Sequence, residues 1–127
     1  MGYNRVRDVS TRLLRPTLPA IDEDAILQAA ANWKVEWEHD GSVAIFDEGI
    51  AQYMIADQKS HVLFYAALLL GKPSLRCRLV DDEPEDELEV KSANTFKLHE
   101  ASRKLSDQER QQMAYLVDVL QRRGYRF

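Results

Sequence analysis

Apolar residues recur at intervals of three and four positions over residues 107–123, which is the spacing of one face of an amphipathic helix. Ser106 and Glu109 stand three residues apart at the start of this stretch, as the two members of a capping box do. Gly124 follows it at the position where helices commonly end. The pattern therefore predicts a C-terminal amphipathic helix. Its apolar face consists of Met113, Leu116, Val117 and Leu120.

A shorter helix is predicted over Glu23–Ala31. Asp22 precedes it and has the side chain of a good N-cap, and two further acids in the first turn complement the helix dipole. Ile21 and Ile26 have the spacing of a hydrophobic staple. The residues before this helix, 1–19, have no clear period and end in two prolines that favour extended backbone. We predict a basic, extended lead-in arm, which docks either on this chain or on a second copy.

Strict alternation of apolar and charged residues over 33–38 predicts a β-strand. Asp40-Gly41 follows, and this dipeptide supplies the positive φ values of a type I′ hairpin turn. The sequence thus predicts a hairpin between 33–38 and Val43–Asp47. A third strand is predicted within residues 50–56, which extends the hairpin to a meander.

Residues 61–70 admit two interpretations. Ser60 would cap a helix that ends at Gly71, whereas Val62, Phe64 and Tyr65 favour a strand. We predict a strand.

The segment that follows alternates more clearly. Leu75, Cys77 and Leu79 are separated by arginines and predict a half-buried strand. Residues 81–89 contain seven acids around one proline and predict a solvated acidic loop. A weaker strand or hairpin is predicted within 88–98.

Together these elements predict one α+β domain over residues 1–127. A small antiparallel meander of three to five strands packs against the short N-terminal helix and the C-terminal amphipathic helix. The length of 127 residues supports one core, and a composition of 45% apolar and 30% charged residues is that of a globular protein.

The predicted hairpin has two apolar faces. Trp33, Val35 and Trp37 point to one side, whereas Val43 and Ile45 on the paired strand point to the other. One long amphipathic helix covers only one face. We therefore expect the other face to be covered by the short helix, by a second copy or by a partner protein, and we predict a homodimer.

Residue patterns that mark familiar catalytic sites are absent from the sequence. It has no glycine-rich phosphate loop and no G-x-S-x-G elbow. His39, His61 and His99 fall in different predicted elements, and we interpret each as a loop or edge residue rather than a metal ligand. Cys77 lies on the apolar face of its strand, where a thiol is inert. We predict no catalytic residue, no metal and no cofactor.

Charge is distributed unevenly along the chain. The net charge is −4, but residues 1–19 hold four arginines against one acid, and residues 91–127 hold eight bases against four acids. The middle, residues 20–90, holds sixteen acids against five bases. One interpretation is that the basic ends fold back onto the acidic middle. The other is that the ends meet a charged partner.

The C-terminal tail interleaves arginines with aromatic residues, as proteins that contact phosphates and stack bases do. The alternative is that its arginines complement the helix dipole while its aromatic residues pack on the core. The residues for contact with a nucleic acid are Arg122, Arg123, Tyr125 and Arg126.

The order of helix, Asp-Gly hairpin and meander over residues 22–71, followed by an amphipathic helix, resembles class I chaperones of secreted effectors. Small size and an acidic pI of about 5.4 belong to the same resemblance. It implies a small acidic protein-binding dimer and nothing narrower.

Three functions follow from these observations. The first is a non-enzymatic protein-binding module of the chaperone, adaptor, toxin-neutralising or inhibitor type. The second is a nucleic-acid-binding accessory protein that uses the basic termini. The third is an enzyme with a site assembled from scattered residues. The protein-binding surface of the first would be formed either by Trp33, Trp37, Phe46 and Tyr53 or by the acidic loop 81–89.

The sequence also favours a cytoplasmic location. The first residues lack the apolar stretch of a signal peptide, and the longest apolar run, residues 62–70, is less than half of the roughly twenty residues that a membrane span needs. A single cysteine excludes a disulfide framework.

Overall fold

The computed structural model describes residues 6–39, 41–47, 53–80, 95–99 and 101–127. Within them the chain forms three α-helices and two β-sheets, so the predicted α+β class is confirmed. The strands are β1 (Val6–Ser10), β2 (Leu14–Arg15), β3 (Ala20–Asp22), β4 (Val43–Asp47), β5 (Tyr53–Ile55), β6 (Ser74–Leu79) and β7 (Lys97–His99). The helices are α1 (Glu23–Ala31), α2 (Gln58–Leu69) and α3 (Asp107–Arg122).

The larger sheet is mixed, and the predicted antiparallel meander is therefore wrong. Its strand order is β1-β6-β4-β5-β2, with β4 parallel to β6 and antiparallel to β5. The two edge strands, β1 and β2, are joined by a single 3₁₀ turn, Thr11–Leu13, so the sheet must curl to bring its edges together. Across that curl the Arg7 guanidinium donates a hydrogen bond to the Tyr53 hydroxyl at 3.2 Å.

The N-terminal arm docks on its own chain, over the part that the structure describes. β1 pairs antiparallel with β6, and β2 pairs parallel with β5. Between them the Thr11 N–H donates to the Pro73 carbonyl at 3.0 Å. The segment predicted as an extended lead-in thus supplies both edges of the main sheet.

Residues 61–70 belong to helix α2, and the predicted strand is wrong. The Asp57 carboxylate, rather than Ser60, caps the helix by accepting from the Ser60 N–H at 2.8 Å. The helix is buried on nearly every side, because it packs against α1, α3 and β4. A helix surrounded in this way has apolar residues all round and no 3.6-residue period, which is why the sequence pattern did not reveal it.

Residues 33–38 do not form a strand either, and the predicted hairpin is absent. Val35–Glu38 is a 3₁₀ turn, in which the Trp37 N–H donates to the Lys34 carbonyl at 3.0 Å. Both edges of β4 are already occupied by β5 and β6, so no edge is left for a hairpin partner. Gly41 does have the predicted positive φ, +73°, but there it leads from the 3₁₀ segment into β4. Asp40 lies outside the described residues.

The homodimer was predicted because the expected hairpin had two apolar faces. The structure arranges the residues of these two faces differently. Val43 and Ile45 are fully buried in the hydrophobic core, on the strand that α2 packs against, while Val35 is 62% exposed. The geometric premise of the predicted dimer is therefore wrong, although the dimer itself stays a prediction.

Helices α1 and α3 confirm their predictions. Asp22 caps α1 by accepting from the Ala25 N–H at 3.2 Å, and Ser106 and Glu109 form the capping box of α3. Arg103 joins the two helix starts, because its guanidinium binds both Asp24 and Glu109. Bonding to Arg103 lowers the pKa of Glu109 to about 2.

The predicted strand over 75–79 is confirmed as β6, and part of the predicted third strand is confirmed as β5. β7 lies at the end of the segment 88–98 and pairs parallel with β3. The acidic segment 81–89 lies outside the described residues.

His61 is a buried helix residue, so its predicted loop or edge position is wrong. Its Nδ1 lies 2.7 Å from the Asp57 carbonyl oxygen, to which it donates a hydrogen bond. Its Nε2 accepts from the backbone N–H groups of Thr17, at 2.9 Å, and Leu18, at 3.2 Å. Both bonds require Nε2 to be unprotonated. His61 thereby connects the N-terminal segment to α2 through hydrogen bonds.

These hydrogen bonds of His61 should make the free energy of unfolding depend on pH. Burial lowers the pKa of His61 below its ordinary value of 6.5, so the unfolded chain takes up a proton that the folded chain does not. The stabilisation is fully present above pH 6.5, and it is lost as the pH falls from 6.5 through the lower pKa of the folded protein. We expect the free energy of unfolding to fall by up to about 1.4 kcal/mol per pH unit in that range.

Chemical denaturation between pH 5 and 7.5 measures this slope, in about the range where histidine titrates. His61→Gln should flatten the slope, whereas His39→Gln, at an exposed position, should retain it. An unchanged slope in His61→Gln would contradict the assignment.

Candidate anion-binding site

Arginines from the two ends of the chain meet at one cavity. The 3₁₀ turn between β1 and β2 carries Arg12, and β2 carries Arg15. The end of α3 carries Arg122, and Arg123 is its C-cap residue. The cavity has a volume of about 300 Å³, and we call it the arginine cleft. Its described lining residues are Thr11, Arg12, Leu14, Arg15, Arg122, Arg123 and Tyr125.

Arg123 holds an unused donor. Its Nη2 donates to the Thr11 hydroxyl at 3.3 Å, and Thr11 in turn donates to the Pro73 carbonyl at 3.3 Å. Its Nη1 is buried and has no hydrogen-bond partner among the described residues. Burying a donor without an acceptor costs about 1–3 kcal/mol of free energy. A ligand that brings an acceptor into the cleft would remove this cost.

The charges of the cleft are not neutralised. Burial, and then the positive charge of Arg12, lower the pKa of Arg123, as expected where two cations lie close together. No acidic residue is among the described residues that line the cleft. Arg122 pairs with Asp118 at 3.0 Å, but both side chains are more than half exposed, and such a pair contributes little.

Tyr125 forms a wall of the cleft. The Arg15 guanidinium donates to its hydroxyl at 3.0 Å. Its ring packs edge-on against Phe96, with 5.2 Å between centroids, and the side chain is only 5% exposed. Tyr125 therefore orients Arg15 and offers no free ring face for a base.

The structure separates Arg126 from the other residues of the basic tail. Its backbone forms a parallel bridge with Thr95, and its carbonyl accepts from the Phe96 N–H at 2.8 Å. The side chain is exposed and is not among those that line the cleft. Of the four predicted nucleic-acid residues, the structure therefore places Arg122, Arg123 and Tyr125 in one site.

A helix C-terminus attracts cations, and this alone accounts for an arginine at the end of α3. It does not account for Arg12 and Arg15, which come from a distant part of the sequence. From the sequence, the N-terminal arginines are recognised only as a basic group. No sequence signal indicated that these two approach α3, because the approach depends on the curl of the sheet.

The predicted protein-binding residues do not form one face. Trp33 and Trp37 contact each other edge to face, with ring centroids 5.2 Å apart, and both are half-buried against the core. Phe46 is paired with Met54, the neighbour of Tyr53. Adjacent strand residues point to opposite faces, so Phe46 and Tyr53 lie on opposite sides of the sheet.

The remaining candidates for chemistry are accounted for by packing. Cys77 is fully buried, and burial followed by the negative charge of Asp8 raises the pKa of its thiol to about 12. Within the ranges that the structure describes, no three His, Cys, Asp or Glu side chains are grouped so that they could hold a metal ion. None of the described helices combines the length and apolar character needed to cross a membrane.

Comparison of the chain with protein-family models, with curated proteins and with solved structures gives no match to any of them.

Proposed function

We propose that this protein is a nucleic-acid-binding accessory protein that contacts a phosphate backbone through the arginine cleft. One observation carries the proposal: four guanidinium groups from opposite ends of the chain line one cavity whose described lining includes no acid. Among the described residues, Asp118 is the one acid that pairs with these cations, through an exposed ion pair with Arg122 that contributes little. An anionic ligand would offset more of the repulsion between them.

Phosphate is an anion that suits these groups. Guanidinium groups present a planar fork of donors that matches phosphate oxygens two at a time. The buried Nη1 of Arg123 is a donor already desolvated and without an acceptor. Lys72 lines an adjoining cavity, but its ammonium group pairs with the Glu38 carboxylate at 3.1 Å, so the arginines supply the charge for a phosphate.

The cleft is equipped to bind rather than to transfer protons. Arginine does not lose its proton in proteins and so cannot act as a base. The Thr11 hydroxyl already donates to Pro73, and the Tyr125 hydroxyl accepts from Arg15. We accordingly propose a binding function without catalysis.

Fluorescence anisotropy with a labelled single-stranded oligonucleotide tests the proposal. Phosphate contacts release counterions, so log Kd should rise linearly with log salt, with a slope of about 0.7 for each phosphate neutralised. We expect a slope of about 2–3, as three or four arginines would give. Absence of binding at low salt, or an affinity that does not respond to salt, would exclude a phosphate-binding cleft.

A second candidate function, protein binding, is favoured by the surface around Val35. This valine is 62% exposed, next to the half-buried Trp33 and Trp37. Aromatic residues are enriched at protein–protein interfaces, and two of them lie beside this exposed valine. The partner would be a second copy, in a homodimer, or another protein.

Light scattering of the purified protein tests the dimer form of this candidate. A homodimer would have twice the chain mass of 14.7 kDa, and Val35→Glu should return it to the monomer because it places a charge in an apolar contact. A monomer at micromolar concentration would contradict the homodimer.

A further inference from the structure

A second cavity adjoins the arginine cleft and has a different character. Its volume is about 240 Å³, and it shares Thr11, Arg12 and Arg123 with the cleft. The two cavities are therefore neighbours that share these lining residues. A ligand that places an anionic group between Arg12 and Arg123 can extend into both.

The walls of the second cavity are partly apolar. Leu68 from α2, Pro73 from the α2–β6 loop and Val119 from α3 contribute to it, together with the ring of Tyr115. Tyr115 is 50% exposed, and its ring packs on no other aromatic ring among the described residues. The cavity thus combines a flat, accessible ring with apolar sides and a cationic rim.

Helix geometry aligns the aromatic ring with the charges. Tyr115, Val119 and Arg123 are spaced four residues apart and follow one face of α3. Tyr115 and Arg123 are eight residues apart, which corresponds to a helix rise of about 12 Å, and both line the same cavity. A strand bound in this cavity can therefore meet the ring with a base and the guanidinium group with a backbone phosphate.

We propose that Tyr115 stacks on an unpaired base of a single-stranded nucleic acid whose backbone phosphate is bound between Arg12 and Arg123. This inference rests on the proposed function and specifies the form of its ligand. Bases in a duplex are stacked on each other and cannot enter a cavity, whereas unpaired bases stack on exposed aromatic side chains. Tyr125 cannot serve in this way, because its ring is covered by Phe96 and Arg15.

Paired ligands and paired variants test the stacking separately from the phosphate contacts. The ligands are a labelled oligothymidylate and an abasic oligonucleotide of the same length, which keeps the phosphates and lacks the bases. The variants are Tyr115→Ala and Tyr115→Phe. Circular dichroism and the thermal midpoint establish that both variants keep the fold.

We expect Tyr115→Ala to weaken binding of oligothymidylate by about tenfold or more, as loss of one stacked base does. Tyr115→Phe, which keeps the ring, should bind nearly as well as the native protein. The abasic ligand should bind both variants equally. The salt dependence should be unchanged in both, because no phosphate contact is lost.

Each contrary result has a distinct meaning. Equal affinity of the native protein for the two ligands would overturn the stacking site and leave the phosphate-binding cleft intact. Equal binding of a duplex, or of a mononucleotide, would overturn the assignment to an extended single strand. Full competition by polyglutamate would assign the cleft to an acidic protein instead. Failure of both oligonucleotides to bind would overturn the proposed function and this inference together.

Discussion

Replacing Arg12 and Arg123 together with glutamine should reduce the affinity for single-stranded DNA by about 100-fold or more, because each charged hydrogen bond contributes about 1.5–3 kcal/mol. The slope of log Kd against log salt should fall by about 1.4, the value for two single-strand phosphates. Anisotropy titrations at several salt concentrations measure both quantities. These two residues are chosen because they line both cavities.

A second double variant controls for net charge. The double variant Arg78→Gln, Arg110→Gln also removes two positive charges. Both positions are exposed, on β6 and α3, and neither lines the cleft. Its affinity should stay within a few-fold of the native value. If it weakens binding as much as the cleft variant does, the binding is nonspecific and the cleft is not the site.

Thermal unfolding separates binding from a structural role. Replacing Arg123 gives up a single hydrogen bond to Thr11, and it also removes a buried donor without a partner and relieves repulsion from Arg12. We therefore expect the thermal midpoint of the cleft variant to remain within a few degrees of the native value. A large loss of stability would show that the arginines hold the two termini together.

Replacing Gly41 with valine should destabilise the fold by about 2–5 kcal/mol. The φ of +73° at this position costs a residue with a side chain about 1–2 kcal/mol. A Cβ there would also lie 2.9 Å from Cγ2 of Val6 on β1, too close for normal contact. Moving Val6 away from β6 costs a further 1–3 kcal/mol or so, as overpacking does.

Gly71→Val is the matched control. Gly71 has the same φ of +73°, but no atom lies within 4 Å of the position its Cβ would occupy. The difference between the two variants in chemical denaturation therefore isolates the contact with Val6. Equal destabilisation of the two would show that β1 does not pack against Gly41 as described.

Elements that are specified by their own residues could be predicted from the sequence. Helix α1 begins after Asp22 and α3 after Ser106, because each cap bonds backbone groups within three residues of itself. Strand β6 was recognised because only one of its faces is buried, which leaves a regular alternation.

Elements that depend on distant partners could not be predicted in this way. Trp33 and Trp37 share a face both in a strand and in a helical turn, and only the exposure of Val35 between them distinguishes the two. The sequence does not show that β4 already has two neighbours. Helix α2 was missed for a related reason, since burial on all sides removes the period that identifies a helix.

For the candidate site, the sequence by itself determined the chemistry: arginines near both ends, an acidic middle and no familiar catalytic motif. Only the tertiary structure decided that Arg12 and Arg15 meet Arg122 and Arg123 at one cavity. That meeting follows from the sheet order, which makes β1 and β2 opposite edges although one short turn joins them. Pairing between strands far apart in sequence fixes this order, and the pattern of residues along any single segment does not encode it.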